Sequence, residues 1–323
     1  RMREGVRVMA GSGGQGMRVR VGPLRGAAHL GGDATMAIVQ GSGDAQGGAS
    51  AAREQWQSRW GFLLAAVGSA VGLGNMWRFS YLAAEKGGAG FVALYLFFTV
   101  LIGLPVMLAE LTIGRGARRG PISALAHYGG PAWRALGVVF VAAGFLILSY
   151  YGVIGGWTLR YSVEAALLGF PSPAGEHFGD VASGWDSLAT QLVFMAITIA
   201  IVAGGIGGGI ERVARVAMPG LFFVMVAIAV YAATLDGAGA GYAYYLNFDV
   251  ARAMSLDVAV AAAGQAFFSL SLGMGAMLTF ASYLPRECDL ATETVVISFA
   301  DFGVAFSAGL MVFPLIFALG MGD

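Results

Sequence analysis

The chain has 323 residues, of which 57% are hydrophobic and 12% are charged; its net charge is zero and its mean hydropathy is +0.72. Soluble domains carry about 25% charged residues, so this composition excludes a water-soluble globular protein and predicts a membrane protein with several spans. The balanced charge gives no sign of a nucleic-acid partner. A single cysteine, Cys288, excludes an internal disulfide, and three scattered histidines argue against a histidine metal site.

The first 52 residues differ from the rest of the chain. They are rich in glycine and arginine, and they contain neither a sustained apolar run nor the apolar core of a signal peptide. We therefore expect residues 1–52 to be disordered, or to be an upstream stretch that is not translated, with Met36 as the alternative start. The folded part is predicted to cover residues 53–323.

Seven apolar segments separated by short polar loops follow. A helix needs about 20 residues to cross the hydrocarbon core of a bilayer, and each segment reaches or approaches that length. We predict transmembrane helices at 60–84, 90–113, 133–168, 188–205, 216–235, 258–283 and 290–319.

The basic residues in the loops predict the orientation of the chain in the membrane. With the N-terminus inside, nine arginines fall on the cytoplasmic side, whereas only Lys86 and Arg252 fall outside. The positive-inside rule then predicts a multi-pass protein of the cytoplasmic membrane with a cytoplasmic N-terminus. The nine arginines are Arg53, Arg59, Arg115, Arg118, Arg119, Arg134, Arg212, Arg215 and Arg286.

The first predicted helix contains GSAVGLGNMW at 68–77, where glycine and polar residues weaken the helix at bilayer depth. Two interpretations are open. Gly68 and Gly72 have the spacing of a close helix–helix contact, or the segment is a deliberate break that binds a ligand. A second glycine-rich stretch within a helix, at 264–282, favours breaks that form the substrate site of a secondary transporter.

Five motifs resemble the neurotransmitter:sodium symporter family, in particular its bacterial amino-acid transporters. They are REQWQSRWGFLLAAVGSAVGLGNMWRF at 53–79, ELTIGRG at 110–116, the tyrosine pair at 150–151, GGGIERVARVAMP at 207–219 and FFSLSLGMGAMLTFASYL at 267–284. The resemblance implies an all-α, LeuT-type fold with inverted repeats and with the first and sixth helices broken at mid-membrane. It also implies that the transporter domain at 53–323 holds only the first seven helices of that fold.

By the same resemblance, the protein carries an apolar or aromatic amino acid together with sodium. The substrate carboxylate would meet the N–H groups of Leu73 and Gly74 and the hydroxyl of Tyr151. Gly72 stands where family members that carry amines have an aspartate, so the substrate is expected to bring its own carboxylate. Ordinary helix packing is the alternative for the residues of the side-chain pocket, which would be Phe268, Ser269, Ser271 and Met274.

Two sodium sites are implied. The Gly68 and Val71 carbonyls would serve the second site, whose remaining ligands belong to an eighth helix. For this reason the chain as printed is expected not to transport on its own. The ligands of the first site would be the Ala70 carbonyl, the Asn75 side chain, Ser269 and Asp301.

Chloride is not expected to be required. The resemblance matches Tyr95, Gln265 and Ser269 to three chloride-binding positions, but Ala305 replaces the fourth, a serine. Asp301 lies one turn before Ala305 and could supply the missing negative charge; the alternative is a local capping role for this carboxylate.

The resemblance also implies two gates. Arg53 and Trp56, with Tyr283, would form the inner gate, and Arg78 the outer gate above Phe268. The alternative for Arg53 is a solvated topological anchor. Gly209 and Pro219 match a pattern that permits the fifth helix to unwind locally.

Two other function classes are alternatives to a transporter. An intramembrane enzyme is disfavoured, because no histidine lies within a predicted span to complete a catalytic pair. A non-transporting fragment or binding protein of the same family remains the alternative, since the second sodium site and both gates lack their partners in this chain.

Overall fold

The computed structural model describes residues 54–167, 169 and 174–321. The predicted disordered segment 1–52 and Arg53 lie outside these residues. Within them the regular structure is helical, apart from one isolated bridge between Gly88 and Phe248.

Thirteen helices occur in the described part of the chain. In order they are α1 (Arg59–Ala70), α2 (Gly74–Lys86), α3 (Ala89–Ala117), α4 (Pro121–Gly129), α5 (Trp133–Leu167), α6 (Ala174–Ala182), α7 (Gly184–Ala203), α8 (Ile206–Ala233), α9 (Ala238–Tyr245), α10 (Val250–Ala253), α11 (Leu256–Ser269), α12 (Ala276–Ala281) and α13 (Leu290–Ala318).

Five of these helices (α3, α5, α7, α8 and α13) are long and apolar enough to cross a membrane singly. α1 and α2 form a sixth candidate span, bent by 50° at its break. The predicted span at 258–283 is a second broken helix, because α11 and α12 are separated by residues 270–275. The prediction of a multi-pass helical protein with two interrupted spans is confirmed.

The fifth span begins ten residues earlier than predicted, at Ile206 instead of residue 216. The glycine-rich start of this helix resembles a loop in sequence, but Ile206–Ile210 form a turn of π-helix that continues into the span. Close packing explains the glycines: a Cβ on Gly209 would lie 1.9 Å from the Ile201 carbonyl oxygen.

Both broken spans pack into the main buried cluster. Phe62 of α1, Met107 and Leu111 of α3, Met277 of α12 and Ile297 of α13 are fully buried there. The backbones of α3 and α12 approach closely, since a Cβ on Gly114 would lie 2.0 Å from the Leu278 carbonyl oxygen. Small residues that permit such approaches are a common basis of helix packing in membranes, and here they hold the second break in place.

Candidate functional site

The first break frees backbone groups that a continuous helix would use. The Gly72 N–H donates to the Asn75 side-chain oxygen at 3.3 Å, and the Gly74 N–H faces the Tyr151 hydroxyl. A regular helix would direct these two N–H groups to the carbonyls of Gly68 and Ala70. Those two carbonyl oxygens are therefore released from their helical partners and can bind a ligand.

The second break is stabilised by a buried carboxylate. Ser271, Gly273 and Gly275 have φ angles of 54°, 75° and 72°, a conformation that glycine adopts readily and serine rarely. The Gly273 N–H donates to Glu110 Oε1 at 2.7 Å, and Glu110 is only 5% exposed. Glu110 thus compensates for hydrogen bonds that the unwound backbone cannot make within a helix.

The two breaks and the middle of α5 enclose a cavity of about 360 Å³. α5 comes close at Gly144, where a Cβ would lie 3.5 Å from the Met274 carbonyl oxygen. No charged side chain is among the described residues that line the cavity. They are Ser69, Ala70, Gly72, Gly74, Gly144, Ile147, Leu148, Tyr151, Phe268, Ser269, Ser271, Met274 and Ala276.

Most of the residues predicted to bind substrate lie at this cavity. Tyr151, Phe268, Ser269, Ser271 and Met274 line it, with the Tyr151 and Phe268 rings 6.1 Å apart. Leu73 lies within the break but is not among the lining residues. The sequence reading missed three lining residues of α5: Gly144, Ile147 and Leu148.

A buried polar cluster lies beside the cavity. Asp301 is fully buried and accepts hydrogen bonds from the Asn75 amide at 2.7 Å, the Tyr95 hydroxyl at 3.0 Å and the Ser269 hydroxyl at 2.8 Å. Ser269 and Ala70 also line the cavity, so the cluster and the cavity share a wall. The structure thus brings together three residues that were predicted to hold the first sodium: Asn75, Ser269 and Asp301.

The donor set of this cluster fits a hard cation. Every candidate ligand is an oxygen atom. One of them belongs to the Asp301 carboxylate, which is buried in the low-dielectric interior and forms no ion pair among the described residues. Transition metals prefer imidazole or thiolate, and no group of three or more His, Cys, Asp or Glu residues that could hold a metal occurs in the described part of the chain. The chemistry suits an alkali cation.

Gly68 and Val71, the residues predicted for the second sodium, lie at the first break but do not line the cavity. Val71 is 5% exposed and packs with Met225 of α8 and Val304 of α13. A Cβ on Gly68 would meet the Met218 sulfur at 2.9 Å. Both positions face the junction of α1, α8 and α13.

Gln265 contacts two residues of α2. Its amide donates to the Gly74 carbonyl at 3.0 Å, and its oxygen accepts from the Arg78 guanidinium. Arg78 also lies over the Phe268 ring, 4.9 Å from the ring centroid. Gln265 therefore links Arg78 to the first break, and no hydrogen bond joins its side chain to Asp301 among the described residues.

The segment before α1 is held against two other helices. The Trp56 indole donates to the Phe280 carbonyl at 2.9 Å, and the Trp56 N–H to the Tyr283 carbonyl at 3.4 Å. On the other side, the fully buried Glu211 of α8 accepts from the Gln57 N–H at 2.8 Å and the Ser58 hydroxyl at 2.9 Å. The structure thus joins the backbones of Trp56 and Tyr283, two residues of the expected inner gate, whereas Glu211 was not singled out from the sequence.

Gly74→Ala is expected to weaken substrate binding about 10- to 100-fold. The new methyl group would lie 3.0 Å from the Phe268 ring and 3.6 Å from the Tyr151 hydroxyl, and overpacking of this kind costs about 1–3 kcal/mol. Gly264→Ala is the matched control, because Gly264 of α11 does not line the cavity and a Cβ there meets nothing within 4 Å. Equilibrium binding of an aromatic amino acid, the ligand class that the sequence resemblance implies, measures both. Equal losses in the two variants would mean that general helix disruption, not crowding at Gly74, is responsible.

The sequence is similar to known sodium-dependent transporters. The profile described as the Sodium:neurotransmitter symporter family matches residues 53–172 and 176–320. An uncharacterised sodium-dependent transporter of Bacillus subtilis, YhdH, is 38% identical over 82% of this chain and 60% of its own length. The sodium-dependent neutral amino acid transporter B(0)AT2 of Bos taurus is 28% identical, over 82% and 41%.

The fold also has a close counterpart among solved structures. The crystal structure of MhsT in complex with L-phenylalanine matches with a TM-score of 0.78 and 45% identity, over 84% of this chain and 63% of MhsT. The chain therefore spans roughly 40–60% of the length of these curated relatives.

Proposed function

Because the chain belongs to the sodium:neurotransmitter symporter family, a family of sodium-dependent transporters and not of enzymes, we propose that the intact protein carries an apolar or aromatic amino acid into the cell with sodium. Transport would follow alternating access, in which sodium and substrate bind the outward-facing and inward-facing states with different affinities. The protein is a multi-pass membrane protein.

One observation carries this proposal: both helix breaks meet at a single cavity, next to a buried carboxylate. Helix breaks at mid-membrane supply N–H groups for an anion and carbonyl oxygens for a cation. A zwitterionic amino acid beside a sodium ion needs both.

The substrate carboxylate is proposed to bind the Leu73 and Gly74 N–H groups and the Tyr151 hydroxyl. The Gly74 N–H already faces that hydroxyl, which supports this placement. Phe268, Ser271 and Met274 would surround the substrate side chain, and Ser269 would lie between substrate and sodium. The uncharged lining of the cavity matches an apolar side chain.

Two sodium sites are proposed. Asn75, Ser269, Asp301 and the Ala70 carbonyl would hold the first ion, and the Gly68 and Val71 carbonyls would contribute to the second. Sodium would neutralise the buried Asp301 carboxylate and attract the substrate carboxylate. Asp301 would also make chloride unnecessary.

The proposed gates follow the contacts of the described residues. Arg78, above Phe268, would close the outer side of the cavity. Trp56 and Tyr283 would close the inner side, with Arg53 as a further member from the segment outside the described residues. This assignment places the N-terminus in the cytoplasm, in agreement with the distribution of arginines.

Competition binding is expected to rank phenylalanine and leucine above lysine and glutamate by at least a hundredfold. A charged side chain would lose its hydration in the cavity without gaining a partner there. Bound radiolabelled phenylalanine, displaced by each competitor, gives the ranking. If lysine or glutamate displaced the label more effectively than leucine, the proposed apolar pocket would be excluded.

Uptake into proteoliposomes tests the function itself. An inward sodium gradient should drive accumulation of labelled phenylalanine, and replacing external sodium by potassium should abolish it. Accumulation without sodium would refute symport. Sodium-dependent binding without any accumulation by the intact protein would support the alternative, a non-transporting binding protein.

A further inference from the structure

A basic concavity lies between α4 and the start of α5, and it shares no lining residue with the substrate cavity. Its volume is about 370 Å³. Two guanidinium groups, an imidazole and a hydroxyl contribute hydrogen-bond donors to it. The described residues that line it are Arg119, Ile122, Ser123, Ala126, His127 and Arg134.

The positive charge of this concavity is not balanced by neighbouring carboxylates. The sequence has no acidic residue between Glu110 and Glu164. Arg115, which precedes the concavity, donates to the Cys288 carbonyl. In contrast, neither Arg119 nor Arg134 forms an ion pair within the described residues. Two arginines are therefore available to bind an anion.

Backbone N–H groups reinforce the same charge preference. α4 is nine residues long, and its N-cap residue, Gly120, provides no capping side chain. The first internal hydrogen bond joins the Ala124 N–H to the Gly120 carbonyl at 2.9 Å, so the N–H groups of Ile122 and Ser123 precede it. Both residues line the concavity. The positive end of a helix and its free N–H groups attract phosphate and other anions.

The concavity is formed by closely packed elements, and two exposed aromatic rings lie next to it. A Cβ on Gly137 of α5 would lie 2.5 Å from the Ile122 Cα, so α4 is pressed against α5. Tyr128 and Trp133, at the adjacent ends of these helices, are 59% and 49% exposed. Exposed tyrosine and tryptophan rings are typical of the boundary between lipid and water.

We propose that this concavity binds the phosphate group of an anionic phospholipid in the cytoplasmic leaflet. The proposal relies on the proposed orientation, which places the loop between α3 and α5 in the cytoplasm. Basic pockets beside transmembrane helices on that side are suited to anionic headgroups. A soluble phosphate ester offers the same anion, and arginines that serve only as topological anchors would need neither a concavity nor a helix N-terminus.

Native mass spectrometry of the intact protein, titrated with phosphatidylglycerol, tests this site. Arg119→Gln combined with Arg134→Gln is expected to weaken phosphatidylglycerol binding roughly 30-fold, since each arginine near an anionic surface contributes roughly fivefold. The matched control is Arg212→Gln with Arg286→Gln. It removes the same charge from exposed arginines on the same predicted side of the membrane, and it should change binding less than threefold.

Further arms separate the possible outcomes. Arg119→Lys with Arg134→Lys should retain most of the binding, which excludes misfolding as the cause of a loss. Phosphatidylcholine should bind more weakly than phosphatidylglycerol, and 10-fold excess glycerol 3-phosphate should not displace the lipid. Displacement by glycerol 3-phosphate would assign the site to a soluble phosphate ester and overturn the lipid assignment. Equal losses in the glutamine pair and its control, or no preference over phosphatidylcholine, would overturn the site itself.

Discussion

Asp301→Asn combined with Ala305→Ser is expected to make amino-acid uptake dependent on chloride. Asp301 is fully buried among Asn75, Tyr95 and Ser269, and Ala305 is buried one turn further along α13. Removing the carboxylate leaves a sodium ion without a fixed counter-charge, and the serine adds a donor for an anion. In the intact protein, uptake in chloride and in gluconate should be equal in the parent and should differ at least tenfold in the double variant.

Sodium affinity should fall further in the single variant Asp301→Asn than in the double variant. Two unit charges about 4 Å apart interact by about 4 kcal/mol at an effective dielectric of 20, and the amide oxygen that remains would recover part of this. We expect sodium affinity to fall about a hundredfold. Ser298→Ala, in the preceding turn of α13, removes a buried hydroxyl bonded only to the Met107 sulfur and serves as the control. A parent that stalls in gluconate, or a double variant indifferent to chloride, would remove Asp301 from this role.

Glu211→Ala is expected to release the segment that precedes α1. Glu211 accepts hydrogen bonds from the Gln57 N–H, the Ser58 hydroxyl and the Arg215 guanidinium, and it is fully buried. Arg215 is 54% exposed, so the loss comes mainly from the Gln57 and Ser58 contacts; hydrogen bonds to a charged group contribute about 1.5–3 kcal/mol each. Hydrogen exchange of the Gln57 and Gly61 amides should therefore accelerate by at least a hundredfold, and a smaller change would be expected for Glu211→Gln, which keeps an acceptor.

A neighbouring carboxylate provides the control for this prediction. Glu54 is exposed and accepts a single hydrogen bond, from the Gly207 N–H at 3.1 Å. Glu54→Gln should accelerate exchange less than tenfold. If Glu211→Ala left the exchange of Gln57 and Gly61 unchanged, the segment before α1 would not depend on its contact with α8.

The positions of the helix breaks could be predicted from the sequence for a physical reason. Glycine, serine and asparagine at bilayer depth weaken a helix where unpaired backbone is costly, so their clustering at 68–77 and 264–282 indicates a purpose. The structure places the breaks at Val71–Leu73 and at residues 270–275, within those stretches. The assignment of Asp301 came from the family resemblance instead, because α13 carries a second buried carboxylate, Glu293, that the break pattern does not distinguish from it.

Other parts of the site could not be predicted from local patterns. Ile147 and Leu148 line the cavity, but in a 35-residue apolar helix a cavity-lining side chain has the same character as a lipid-facing one. The contact of Glu211 with Gln57 joins residues 154 positions apart. The contacts of Gln265 with Arg78 and Gly74 join α11 to α2. They depend on how these two helices pack, which the local sequence does not reveal.

Equilibrium binding of phenylalanine and of phenethylamine, each across a sodium titration, tests the central claim most directly. The two ligands share an aromatic side chain and an amine, but only phenylalanine has the carboxylate that is proposed to meet Leu73, Gly74, Tyr151 and the first sodium. Phenylalanine is expected to bind only with sodium present. Phenethylamine is expected to bind at least a hundredfold more weakly than phenylalanine at every sodium concentration that supports phenylalanine binding. Comparable binding of the two ligands, or binding of phenylalanine that is indifferent to sodium, would contradict it.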